Sequence, residues 1–120
     1  MCHVLIVEDE PKIAAFMQKG LGQAGYRAAI ANDGPTALAE VAADDYQLIL
    51  LDLGLPGLDG QEVLRSLRSQ GNTCPVLIVT ARLPATLETT ALQQFANGWV
   101  QKPFLMKDLI SRIQQLLPIQ

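Results

Sequence analysis

The sequence predicts an α/β fold, a parallel sheet with helices packed on both of its faces. Three observations carry that expectation. First, the apolar runs HVLIV (3–7), LILL (48–51) and VLIV (76–79) are short and continuous. They do not alternate with polar residues, as a strand with one wet face would, so both of their faces must be covered. Second, the segments between them repeat apolar residues every three to four positions, the period of a helix. Third, 120 residues suffice for one hydrophobic core but not two, so 1–120 reads as a single domain.

The elements follow in order. HVLIV is the first strand. In 11–23, Ile13, Phe16, Met17 and Leu21 share one helical face, Pro11 suits the first turn, and the glycine of AGY (24–26) suits the end. RAAIA (27–31) is a weaker second strand. Ala37, Leu38, Val41 and Ala42 stripe a second helix in 34–44. LILL is the third strand. Val63, Leu64 and Leu67 mark a third helix in 60–69, behind Asp59 as a candidate N-cap. VLIV is the fourth strand. PATLETTALQQF (84–95) holds three threonines and has poor intrinsic propensity, yet Leu87, Ala91 and Phe95 recur every four residues. A fourth helix held by packing is expected there. GWVQ (98–101) is the fifth strand. From 105 to 117, Leu105, Leu109, Ile110, Ile113, Leu116 and Leu117 form the clearest stripe in the chain. Five β-α repeats imply helical crossovers and a parallel sheet.

Composition excludes several functions. A formal net charge of −3 gives no general attraction for nucleic acid or an anionic membrane. No apolar run approaches the ~20 residues of a membrane span. The opening MCHVLIVEDE has no basic leader region, so the cytoplasm is the expected location. The two cysteines, Cys2 and Cys74, border strand-like runs and form no CxxC, so each reads as a small buried hydrophobe rather than a zinc or redox group. His3, the one histidine, reads as a strand residue.

In open α/β sheets, ligands bind outside the carboxyl ends of the strands. There the first strand runs into Glu8 and Asp9, the third into Asp52, the fourth into Thr80, and the fifth into Lys102 and Pro103. Clustered carboxylates repel, so they need a cation or take up protons. Hard oxygen ligands with room for water suit Mg²⁺ better than Zn²⁺. The ion and Lys102 would attract a phosphoryl group, which a carboxylate can accept as an acyl phosphate. The Thr80 hydroxyl can donate to a phosphoryl oxygen, and a main-chain carbonyl near Gly54 could complete the metal shell.

VLIVEDE, LILLDLGLPGLDG, VLIVTA and QKPF, in this order and spacing, resemble the response-regulator receiver domains of two-component signalling. Within them the chain is most similar to the subfamily that precedes winged-helix DNA-binding domains. The resemblance implies a flavodoxin-like, doubly wound (βα)5 fold with strand order 2-1-3-4-5. It implies that Asp52 accepts phosphate from a sensor histidine kinase or a phosphotransfer protein. Glu8, Asp9, Asp52 and the Gly54 carbonyl would hold Mg²⁺, and Thr80 and Lys102 would contact the phosphoryl group. Lys102-Pro103 would be a cis peptide. Trp99 would be an aromatic rotamer switch acting with Thr80, at a position where tyrosine or phenylalanine is usual.

The implied protein is a signalling switch, not a turnover enzyme, with no direct nucleic-acid contact by this domain and no membrane partner. Its output surface would be the helix at 84–95, the fifth strand and the last helix, controlling a partner or effector domain. Members of the subfamily pair through that surface using opposite charges. Here Glu88 and Asp108 fall at positions normally opposite in sign, Gln94 stands where an acid would face Arg112, and Gly98 replaces another acid. Any homodimer through this face would therefore be non-standard. Phe95 replaces a glycine, and with Leu83 it is expected to make a different contact surface. A different phosphate chemistry, that of aspartate-nucleophile phosphohydrolases of the haloacid-dehalogenase kind, wants an acid two residues after its nucleophile, where this chain has Gly54.

Overall fold

Side chains alternate across a strand, and here both destinations are apolar. Val4 and Ile6 point into one core, Leu5 and Val7 into another. The computed structural model describes residues 3–55, 60–81 and 95–117. Its elements are β1 (His3–Val7), α1 (Pro11–Gln23), β2 (Arg27–Ala31), α2 (Gly34–Ala43), β3 (Leu48–Leu51), α3 (Gly60–Ser69), β4 (Val76–Thr80), β5 (Gly98–Gln101) and α4 (Met106–Leu116). Every boundary lies within a residue or so of the sequence expectation. The expected helix at 84–95 lies, but for Phe95, outside the described residues, as do Cys2, Asp59 and Leu83.

The strands are all parallel, in the order β2-β1-β3-β4-β5. This is the flavodoxin-like arrangement. Leu5, Val7, Ile49, Leu51 and Ile78 meet Ala37 of α2 and Val63, Leu64 and Leu67 of α3. On the opposite face, Val4, Ile6, Leu48, Leu50, Leu77 and Val79 meet Met17 and Leu21 of α1 and Leu109 and Ile113 of α4. The central strands are thus sandwiched, which is why their sequences show no polar alternation. Among the described residues no helix is long and apolar enough to cross a membrane.

Local chemistry sets the helix ends. Pro11 opens α1, where its missing N–H costs nothing. Gly25 closes it at φ +95°, a conformation a side chain would resist. Tyr26 N–H donates to Leu21 O (2.9 Å) and Gly25 N–H to Gly22 O (3.1 Å), the paired bonds of a Schellman cap. α2 starts from Asp33, whose Oδ1 accepts from Thr36 N–H at 2.8 Å. That bond holds the Asp33 carboxyl below its usual range.

His3 is structural at the opposite end of the sheet from the acids. Its ring lies 4.3 Å from that of Tyr46, and its Nδ1 is 3.8 Å from Asp44 Oδ2. Cys74 is half-buried, its thiol 3.2 Å from the Tyr46 carbonyl. Burial pushes that thiol up to about 11, with Arg68 opposing.

Two expectations follow. In a Cys2→Ser protein at pH 8, iodoacetamide should label Cys74 about a hundredfold more slowly than a free thiol, because only the thiolate reacts. Denaturant should restore the ordinary rate, and fast labelling of the folded chain would contradict the burial described. In α1, a Cβ at Gly22 would meet nothing within 4 Å, whereas one at Gly20 would collide with Met106 Cε. Gly22→Ala should therefore raise stability by about 0.5–1 kcal/mol in denaturant melts, through helix propensity alone. Gly20→Ala should gain less, because the Met106 side chain must move.

Candidate functional site

The strand order sets which strand ends meet. β1 and β3 are neighbours, so Glu8 and Asp52, each one residue past its strand, emerge side by side. β4 and β5 follow, and they end at Thr80 and deliver Lys102. Glu8 is 2%, Thr80 4% and Asp52 8% exposed, while Asp9 faces solvent. Asp52 does stand at the mouth of the sheet, but little of it is exposed.

A buried charge must be paired and hydrogen-bonded. Lys102 Nζ donates to Glu8 Oε1 at 2.5 Å and to Asp52 Oδ2 at 3.0 Å. Each carboxylate then uses its second oxygen on a backbone N–H. Glu10 N–H donates to Glu8 Oε2 (3.1 Å), and Gly54 N–H to Asp52 Oδ1 (3.0 Å). Burial pushes the Glu8 carboxyl above its usual value, against the pull of Lys102 and Glu10 N–H. Burial alone would lower the Lys102 ammonium, but its bonds to Glu8 and Asp52 outweigh this and raise it.

One oxygen from each of Glu8, Asp9 and Asp52 lies within 4.8 Å of the others. Three carboxylates offering only hard oxygen fit a small divalent cation such as Mg²⁺. Three acids and one lysine leave two negative charges, which one such ion would neutralise.

The remaining expected residues are placed as follows. Thr80 pairs with Gln101, and its carbonyl accepts from Lys102 N–H at 2.8 Å. The Lys102–Pro103 peptide is cis. Trp99 is not part of the acid cluster. It is 40% exposed and borders a groove shared with Val100, Gln101, Asp108, Ser111 and Arg112. A Cβ at Gly98 would lie 3.1 Å from Arg112 Nη2, so Arg112 covers the space that a side chain there would use. Beside Lys102, on the α1 side, Ile13, Phe16, Ala81, Pro103 and Phe104 line an apolar groove of about 340 Å³.

Phe95 is half-buried and packs against the core shared by α2 and α3, while Leu83, its expected companion on a contact surface, lies outside the described residues. The Phe95 carbonyl is held by Arg68. Sequence reasoning passed over Arg68 because a basic residue in the last turn of a helix is ordinary. Gly60 is the first residue of α3, where the sequence also starts that helix, but its close approach to the acidic loop is not evident from the sequence. Its absent side chain lets the helix lie on the acidic loop: a Cβ would sit 2.5 Å from Asp52 O and 2.6 Å from Leu53 Cα. Glycine after proline and glycine in LPGLDG is the signal that could have raised it.

Comparison with known proteins agrees with this geometry. Residues 4–114 match the family model of the response regulator receiver domain. The uncharacterized transcriptional regulatory protein YkoG of Bacillus subtilis is 44% identical over 115 residues, 96% of this chain and 50% of its own. The chain spans about half the length of the curated relatives it matches. Among solved structures, TrrA of Thermotoga maritima, in complex with Mg²⁺ and BeF, superposes with a TM-score of 0.88. It is 28% identical and covers 98% of this chain and 100% of its own. The receiver domain of the sensor histidine kinase PA1611 of Pseudomonas aeruginosa, with magnesium in its active-site cleft, scores 0.87 at 31% identity, covering 96% of each chain. These relatives are signalling proteins, and this chain belongs with them to the response regulator receiver domain family of two-component systems.

Proposed function

We propose that the chain is a phosphorylation-dependent switch in which Asp52 accepts a phosphoryl group from a sensor histidine kinase or phosphotransfer protein. The observation that carries the reading is the pairing of Asp52. Its carboxylate is buried, fixed by Gly54 N–H on one oxygen and Lys102 on the other, within a trio of acids. The Asp52 oxygen bonds to phosphorus as the donor's P–N bond breaks, and the freed histidine nitrogen keeps its lone pair for a proton. Glu8, Asp9, Asp52 and the Gly54 carbonyl would hold Mg²⁺. When bound, that ion would supply two positive charges against the negative charge on the phosphoryl oxygens. Lys102 transfers its bonds from Glu8 and Asp52 to a phosphoryl oxygen, and the Thr80 hydroxyl donates to another.

The switch is read out on the surface of segment 84–95, β5 and α4. In this reading, Thr80 turns toward the phosphoryl group and Trp99 leaves its exposed position. The surface then engages a partner, an effector domain or a second copy of the chain in a non-standard pairing. Relatives of about twice this length are called transcriptional regulatory proteins, which supports an effector region that binds DNA while this domain does not. The chemistry needs one phosphoryl transfer per signal rather than turnover, and its setting is the cytoplasm.

Asp52→Ala should take no label from acetyl phosphate with Mg²⁺, and a labelled variant would show that Asp52 is not the acceptor. Lys102→Met removes the cation that competes with the ion. Its Mg²⁺ affinity by calorimetry should rise about tenfold while beryllofluoride capture weakens; weaker Mg²⁺ binding would contradict the described pairing. The chain has a single tryptophan. Thr80→Ala should still be phosphorylated, but without the Trp99 fluorescence change of the parent protein.

A further inference from the structure

We propose that Arg68, remote from the acids, is a positioning residue that sets the level of β5 against β4 and thereby aims Lys102 at Asp52. This rests on the role proposed above for Lys102. The guanidinium has five N–H donors in a rigid fork, and all five are used on neutral oxygens. Nε and Nη2 donate to Phe95 O at 3.1 and 2.7 Å. Nη2 also donates to Asn97 Oδ1 at 3.2 Å. Nη1 donates to Asn72 O at 3.0 Å and to Cys74 O at 2.8 Å. One side chain thus ties the residues entering β4 to those entering β5. Asn97 continues the tie: Val76 N–H donates to its Oδ1 (2.9 Å), and its own N–H donates to Val76 O (2.8 Å).

The tie matters because burial of the strand's own side chains marks this register only weakly. β5 is four residues long, stands at the sheet edge among the described residues and pairs with β4 alone. Gly98 and Val100 are its inward residues, a small apolar set, and registers weakly marked by burial are prone to slip. A one-residue slip moves the strand about 3.3 Å along its axis. Lys102 would then lose bonds that now measure 2.5 and 3.0 Å. The Mg²⁺ ligands stand on β1 and β3, beyond the reach of such a slip.

Arg68→Met separates these consequences. In the folded variant, hydrogen exchange of the β5 amides should accelerate about tenfold with β1 and β3 unchanged, as expected for losing charge-assisted hydrogen bonds. Mg²⁺ affinity should not fall, whereas beryllofluoride capture should weaken about tenfold. Arg68→Lys keeps the charge without the fork and should be defective in the same way. Asn97→Ala, which cuts the tie at its other end, provides the same test should Arg68→Met fail to fold. Unchanged β5 exchange and beryllofluoride capture in a folded variant would overturn the proposal, as would Arg68→Lys behaving as the parent. If the parent protein itself captured no beryllofluoride, the functional reading would fail. The exchange result would still decide whether Arg68 holds β5.

Discussion

The structure turns on an ammonium held between two buried carboxylates. Lys102 spans Glu8 and Asp52, residues 94 and 50 positions away in the chain, and satisfies one oxygen of each. Without it, two acids that are 2% and 8% exposed would face each other unpaired. Burying one unpaired charge costs several kcal/mol, and two like charges cost more. The parallel order β2-β1-β3-β4-β5 makes the arrangement possible, because it sets all the carboxyl ends of the strands on one edge. The greasy run before Asp52 and the acid that ends it are therefore parts of one design. Leu48 to Leu51 bury the strand on both faces, and that burial holds the carboxylate where the lysine can reach it.

The same pairing leaves the site electrically incomplete. Lys102 balances only one of three acids, and Asp9 stands exposed beside the pair. In the function proposed above, the site takes one more cation and then offers an anion two positive groups, which suits reversible capture of phosphate. Coulomb attraction in a partly buried mouth is several times stronger than in water. In that reading the lysine is shared among Glu8, Asp52 and an incoming phosphoryl oxygen, so a change in charge at Asp52 is also a change in what holds β5.

Much of the fold was legible because it is written in local patterns. Continuous apolar runs mark strands covered on both faces, and striped segments mark the helices between them. The site was legible in outline because its residues follow the strands directly. Three things were not. The depth of Glu8 and its bond to Lys102 join residues distant in sequence, which no periodicity reports. Phe95 packs, half-buried, against the core that contains Val76, a tertiary fact. Arg68 escaped because its partners are mostly backbone carbonyls, which carry no residue signature: any sequence at 72 and 74 offers the same oxygens.

Strand β5 joins these observations mechanically. Its entry is tied to α3 and the start of β4 through Arg68 and Asn97, and its exit is tied to β1 and β3 through Lys102. A short strand held at both ends cannot answer a change at one end by sliding. What remains free is rotation of its outward side chains, and Trp99 is the large one, opposite Ile78 and already 40% exposed. If the Arg68 tie acts as proposed, a new charge at Asp52 is expressed as a side-chain rearrangement on the β5 face rather than as a shift of the strand. The tie at the entry would then be what makes the signal local and directed, because a loose edge strand would absorb the same perturbation by slipping.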